Sequence, residues 1–240
     1  MPKMNFVPSP PPGGPPTPET PYVLSYFALR KTVGWIAIAL PFVVVTFIWF
    51  TDRCFQNSIS AYYYTSLRDV FVGALCSIGI FLIACVGYKD DRIPSMFAGA
   101  LSFIVAFSPT SIPKCDSGKY SCQTTATALP FPHSNVVHGI AASLLFLTLA
   151  YFCLVLFRRK DVVTTSRKLI RNKVYLVCGL IIVAALATFG LVEVLHAIGA
   201  IHTIRPRNFL FYTETICLLA FGFAWIVKGE QILGDLPPNG

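Results

Sequence analysis

Glu193 and His196 stand three residues apart at the end of a long apolar run, so on a helix they share one face. An ionisable group at that depth costs about 2.5–3.5 kcal/mol on insertion scales, and it needs a partner or a chemical task. The candidates for partnership are Asp69, His133, His138, His202 and Glu214, which all fall at the same end of the apolar runs laid out below. Imidazoles and carboxylates converging from several helices have the donor types of a His-rich zinc site, with His138, His196 and Asp69 as ligands. A metal-bound water held there would attack a lipid ester or amide. The competing reading is polar pairing at the span ends: Asp69 adjoins Arg68, and Glu214 follows Arg205 and Arg207.

Other site chemistries find less in the chain. Glu193-x-x-His196 is half of a di-iron bundle motif, which needs a second copy and two further Glu. An axial haem pair of His138 and His196 has no other support. No nucleophile elbow, phosphate-binding loop or dinucleotide fingerprint occurs. The expectation is no cofactor, with zinc as the alternative.

The elements that must position these residues are apolar. Of the 240 residues 55% are hydrophobic and 12% charged, against about 25% charged in soluble domains. The mean hydropathy is +0.65. These values predict an all-α, polytopic helical bundle in a membrane. Six apolar runs, at about 31–50, 70–88, 95–112, 135–157, 174–198 and 208–228, each approach the ~20 residues needed to cross a ~30 Å hydrocarbon layer. Pro41 should kink the first run, and Pro109 and Pro113 should end the third. Gly73, Gly79 and Gly87 in the second would permit close helix approach. Residues 1–21 are too Pro-rich for a helix and read as a disordered cytoplasmic tail. Residues 22–230 then form the six-span bundle, and 231–240 a short cytoplasmic tail. Tyr22–Arg30 leads along the interface into the first span.

Thirteen Lys and Arg fall on one side of these runs, seven of them in the 158–173 loop, and six on the other. The positive-inside rule therefore places both termini in the cytoplasm of a cell or inner membrane. The net charge of +8 is a topology signal of this kind, and no nucleic-acid partner is expected. The loops at about 51–69, 113–134 and 199–207 face outward. In the second of them Cys115 and Cys122 close a small polar loop, the setting of a disulfide in an oxidising compartment. The alternative is two free thiols. The first outward loop carries Ser58, Ser60, Tyr62, Tyr63, Tyr64, Arg68 and Asp69. Three tyrosines there read as an interfacial aromatic belt. With Ser58, Ser60 and Arg68 they could also grip a lipid head group.

Asn57-Ser-Ile-Ser60-Ala, followed by Arg68-Asp69 and a Gly-containing span, resembles the first loop of the FRAG/DRAM/SFK six-span membrane proteins. Val137-His138 through Phe146 to Tyr151 resembles that family's fourth span, and Asn208–Phe223, with Glu214 inside, its last. Bacterial six-span families of unknown function look similar. The resemblance covers roughly residues 30–228; the Pro-rich tail and the Cys115–Cys122 loop lie outside its pattern. It implies a six-helix bundle with cytoplasmic termini and a role in lipid handling, such as anchor-lipid remodelling, phosphoinositide signalling or autophagy regulation. It brings no settled catalytic mechanism, and it marks Ser60, Asp69, His138 and Glu214 as the positions to watch. Alkaline-ceramidase-like hydrolases fit poorly, because the H-x-x-x-H pair and a seventh span are missing.

The resulting expectation is a membrane protein with an outward-facing polar pocket that binds a lipid or its head group. Its candidate residues are Ser60, Tyr63, Arg68, Asp69, His138, Glu193, His196 and Glu214. Glu193, His196, His138 and Glu214 should face one another. The alternatives are a zinc-dependent lipid hydrolase and a structural subunit partnered by other membrane proteins.

Overall fold

The computed structural model describes residues 21–48, 50, 55–84, 92–112, 131–159, 166–200 and 208–229. Cys115, Cys122 and His202, with the Pro-rich residues 1–20 and the C-terminal 231–240, lie outside the described residues. The regular structure of the described residues is all helical: α1 (Pro21–Ile48), α2 (Arg68–Ala84), α3 (Arg92–Phe107), α4 (Ser134–Tyr151), α5 (Ser166–Ala197) and α6 (Phe209–Lys228). A 3₁₀ turn at Ser60–Tyr64 precedes α2, and a π-helical turn at Phe152–Leu156 extends α4. Four helical segments, Ala28–Phe47, Ser134–Leu156, Ser166–Ala197 and Phe209–Lys228, are long and apolar enough to cross a membrane. The α2 and α3 helices are shorter, at 17 and 16 residues.

Each helix packs on its neighbours in sequence, and α6 returns to close against α1. Small residues set two close crossings. A Cβ placed on Gly222 would lie 2.7 Å from the Gly34 carbonyl oxygen, and one on Gly34 2.7 Å from the Gly222 carbonyl. The backbones of α1 and α6 are thus in direct contact. The Gly79 and Gly99 pair does the same for α2 and α3, with a Cβ on Gly99 falling 2.8 Å from the Gly79 carbonyl. One turn away, the buried Ser102 hydroxyl donates to the Leu75 carbonyl at 2.7 Å, a second tie across that crossing. Of the glycines expected to permit close approach, Gly79 does so, Gly73 faces open space, and Gly87 lies outside the described residues.

Three boundaries differ from the sequence expectation. The first helix begins at Pro21, so the Tyr22–Arg30 lead-in is part of the helix. Proline suits a first helical position, where its missing N–H has no intrahelical partner to lose. The third helix stops at Phe107, and residues 108–112 run on without helical structure. Pro109 disfavours helical backbone at Ser108, so apolarity continues past the point where the helix cannot. The fifth helix begins at Ser166, so Arg167, Lys168, Arg171 and Lys173 are helical rather than loop residues. Lys and Arg are good helix formers, and charge alone does not end a helix. Pro41 is buried within α1, which continues through it to Ile48.

At the end where the π turn lies, Phe152, Phe157, Tyr175, Phe221 and Trp225 form an aromatic cluster joining α4, α5 and α6. Lys228 caps it, with its ammonium 5.6 Å from the Phe157 ring centre. The buried face of α5 is confined to this half, at Arg171, Tyr175, Cys178, Gly179 and Ile182. From Val183 onward α5 is half-exposed or exposed.

Candidate functional site

Residues 58–65, between α1 and α2, do not lie on the surface. Gln56, Ser58, Ile59, Ser60, Ala61 and the tyrosines Tyr62, Tyr63 and Tyr64 are all buried. The expectation of an interfacial aromatic belt is therefore corrected: the three rings are part of the core cluster. Non-helical backbone buried among helices must have its polar groups satisfied within the protein, and the sequence of this segment supplies the partners. The Ser58 hydroxyl accepts from the Ala61 N–H at 3.0 Å. The Thr65 hydroxyl donates to the Tyr62 carbonyl at 2.9 Å and accepts from the Leu67 N–H at 3.2 Å. Tyr62 N–H and Thr65 N–H close successive turns onto the Ile59 and Tyr62 carbonyls, each at 3.1 Å.

Three further bonds fasten this segment to α6. The Phe211 N–H, one of the donors that a helix start leaves without an intrahelical acceptor, donates to the Asn57 carbonyl at 3.0 Å. One turn on, Glu214 takes the segment directly. Its Oε2 accepts from the Ile59 N–H at 2.5 Å, and its Oε1 from the Ser60 hydroxyl at 2.8 Å. Phe55 packs edge-on against Phe211, with ring centres 4.6 Å apart. Glu214 is 8% exposed and Ile59 2%, so bulk water does not compete for these bonds.

The neighbouring connection is tied into the same end. The Tyr64 hydroxyl donates to the Thr110 carbonyl at 2.6 Å, and the Ser134 hydroxyl to the Pro109 carbonyl at 3.0 Å. Burial, and secondarily the neighbouring Tyr63, push the Tyr64 phenol above its ordinary value of 10.0, so it remains a donor at neutral pH. His138, on the inner face of α4, bonds the Ser108 carbonyl through Nδ1 at 2.5 Å. A carbonyl only accepts, so Nδ1 carries the proton and Nε2 is left as an acceptor. Arg68 is exposed; its guanidinium donates to the Tyr63 hydroxyl at 2.8 Å and lies 4.5 Å from that ring's centre.

Beneath Ser60 and Glu214 is a cavity of about 40 Å³. Leu40 of α1, Val105 of α3 and Phe71, Leu75 and Ile78 of α2 form one part of its wall. Ala142, Leu145, Phe146 and Leu149 of α4, with Leu218 and Phe221 of α6, form the rest. The lining spans seven residues on each of α2, α4 and α6, so the cavity is drawn out over roughly 10 Å along the bundle at 1.5 Å per residue. Ser60 and Glu214 are its only polar side chains. A buried water needs two to four polar partners, and below this one end the slot offers none.

The eight candidate residues separate in the structure. Ser60 and Glu214 meet, and His138 is buried one turn above the cavity-lining Ala142. Tyr63 and Arg68 pair with each other, and Asp69 is exposed at the start of α2. Glu193 and His196 sit half-exposed on the far half of α5, away from the slot lining, and His196 Nε2 has no hydrogen-bond partner. Among the described residues no three His, Cys, Asp or Glu come together as metal ligands, so His138, His196 and Asp69 do not form a triad here. His133 is exposed in a left-handed conformation just before α4. Sequence reasoning missed the Ile59 amide, which has no side-chain signature, and the apolar slot, whose residues look like any other core. Comparison with protein-family models, curated proteins and solved structures found no match, and the function of the chain rests on its own geometry.

Proposed function

We propose that this chain is a six-span integral membrane protein that handles lipid by holding the end of a hydrocarbon chain in the slot beneath Ser60 and Glu214. The observation that carries the reading is the slot itself: a narrow, elongated, apolar space with both of its polar groups at one end. Its size suits about three waters, but its walls suit hydrocarbon. Two further observations support six spans. The shorter α2 and α3 pack as a pair through Gly79 and Gly99, inside the same ring as the four longer helices. Both also turn large apolar side chains outward, with Ile80 at 55% and Phe97 at 48% exposure, as a lipid-facing helix does and a soluble surface rarely does over such an area.

The cation asymmetry supports cytoplasmic termini, with the Ser60–Glu214 end facing outward. A reporter fused after Gly240 is expected to be active on the cytoplasmic side only. Activity confined to the outside would reverse the orientation.

The slot is tested by filling it. Leu145→Phe combined with Leu218→Phe brings two rings in from opposite walls. Lipid extracted from the purified double variant and measured by mass spectrometry is expected to fall severalfold relative to the parent, at similar thermal stability. An unchanged lipid complement in a folded double variant would remove the slot as the binding place.

A further inference from the structure

We propose that the end of the bundle marked by the π turn carries a binding site for the phosphate of an anionic phospholipid, formed by Lys31, Arg158 and Lys228. The three cations come from separate stretches of chain and meet around Phe157. Arg158 follows Phe157 directly, and its guanidinium Nη1 donates to the Leu154 carbonyl at 3.2 Å, which holds it at the end of the π turn. Lys228 closes α6 and places its ammonium 5.6 Å from the Phe157 ring centre. Gly229 lets α1 come alongside: a Cβ there would lie 2.9 Å from Lys31 Cγ and 3.2 Å from the Lys31 amide nitrogen. All three cations are half-exposed, while Phe157 and the neighbouring Trp225 ring, 4.8 Å away, are buried and form an apolar floor. A topology signal needs cations only in the connecting segments. It does not need three of them gathered at one point, where like charges repel. Nor does the chain neutralise this end: its segments here hold thirteen Lys and Arg against six Asp and Glu, which is seven of the eight net positive charges. Arg158 Nε is shielded from solvent and has no hydrogen-bond partner among the described residues. The planar fork that suits a phosphate is therefore not spent within the protein. The phosphate belongs to a lipid because the corner stands at the edge of hydrocarbon. Val155, three residues before Arg158, is 44% exposed, and Leu169 and Ile170, between Lys168 and Arg171, are 53% and 48% exposed. A water-facing surface rarely presents large apolar side chains in this way. On the orientation argued above, this end meets the cytoplasmic leaflet, which carries the anionic lipids.

The experiment titrates the purified full-length protein in detergent with dioctanoyl phosphatidylglycerol, dioctanoyl phosphatidylcholine and inorganic phosphate, and reads the bound ligand by native mass spectrometry. Phosphatidylglycerol is expected to bind about tenfold more tightly than phosphatidylcholine, whose phosphate is already matched by its own cation. Arg158→Gln/Lys228→Gln is expected to abolish that preference. Arg92→Gln/Lys173→Gln takes the same charge from exposed positions outside the corner, and is expected to keep the preference within about twofold of the parent. Equal losses in the two double variants would mean that charge spread over the whole end holds the lipid, and would overturn the site. Equal binding of the two lipids by the parent would do the same. Inorganic phosphate displacing phosphatidylglycerol at equal concentration would assign the corner to a soluble phosphate compound and overturn the lipid. If the first double variant does not fold, Lys31→Gln and Lys228→Gln, made singly at half-exposed positions, are each expected to weaken phosphatidylglycerol binding about threefold. No loss in either would overturn the corner as the binding place.

Discussion

Replacing Glu214 by Ala is expected to release the segment between α1 and α2 from the bundle and to destabilise the protein on the order of 3 kcal/mol. The size follows from what is left behind rather than from the bonds removed. Ile59 N–H and the Ser60 hydroxyl now end on the carboxyl, in a region where Ile59 is 2% exposed. Without it a buried amide donor faces hydrocarbon, and such an orphan costs about 1–3 kcal/mol. The Ser60 hydroxyl can rotate to find another acceptor, but the Ile59 N–H is fixed by its backbone. Glu214→Gln should retain more than half of the lost stability, because its amide oxygen accepts from Ile59 while its NH₂ donates to the Ser60 oxygen. Thermal unfolding in one detergent ranks the three proteins, and hydrogen exchange at the Ile59 amide locates the change. An Ala variant as stable as the parent, with Ile59 still protected, would mean that packing of the tyrosines holds the segment without Glu214.

Gly222→Leu is expected to have an effect of similar size by a different route. The α1 and α6 backbones touch at Gly34 and Gly222, and even a methyl on Gly222 would meet the Gly34 carbonyl oxygen at 2.7 Å and Ile38 Cγ1 at 2.7 Å. A side chain can rotate away from such a contact, but a backbone carbonyl cannot, so the helices must separate. Overpacking of this kind costs about 1–3 kcal/mol, and a full isobutyl group against backbone belongs at the top of that range. Separation also opens the seam that closes the helix ring, because α6 joins the first helix to the fifth. Gly73→Leu is the matched control: a Cβ there has nothing within 4 Å. Comparable losses of thermal stability for the two variants would mean that the α1–α6 crossing is not tight in the membrane.

The long apolar runs were legible because helix-forming apolar sequence of that length has few other ways to bury its backbone polar groups. All six runs correspond to helices, and the errors are at their ends, where capping and proline rather than apolarity decide. Glu214 and His138 were legible as unusual residues for the same reason: polar groups at hydrocarbon depth stand out. Ser60 was marked only as an outward-loop residue and by the family resemblance. Their partners were not. Sequence gives the depth of Glu214 and Glu193 along their helices and says nothing of the direction in which each helix turns them. Glu193 was expected to share a ring with Glu214, yet only the N-terminal half of α5 is buried, and its far half, with Glu193 and His196, stands more open.

Composition and run length act locally, residue by residue, and they were enough to read helices and apolarity from the letters alone. Only the tertiary structure decided that one end of the bundle is closed by a folded-in segment. The bond from Ile59 to Glu214 joins positions 155 residues apart, and its donor is a backbone amide that any residue but proline would offer. The slot below it is likewise a property of how five helices fail to fill the space between them. No single residue carries that signal, since Leu145 beside a void and Leu145 in a filled core are the same letter.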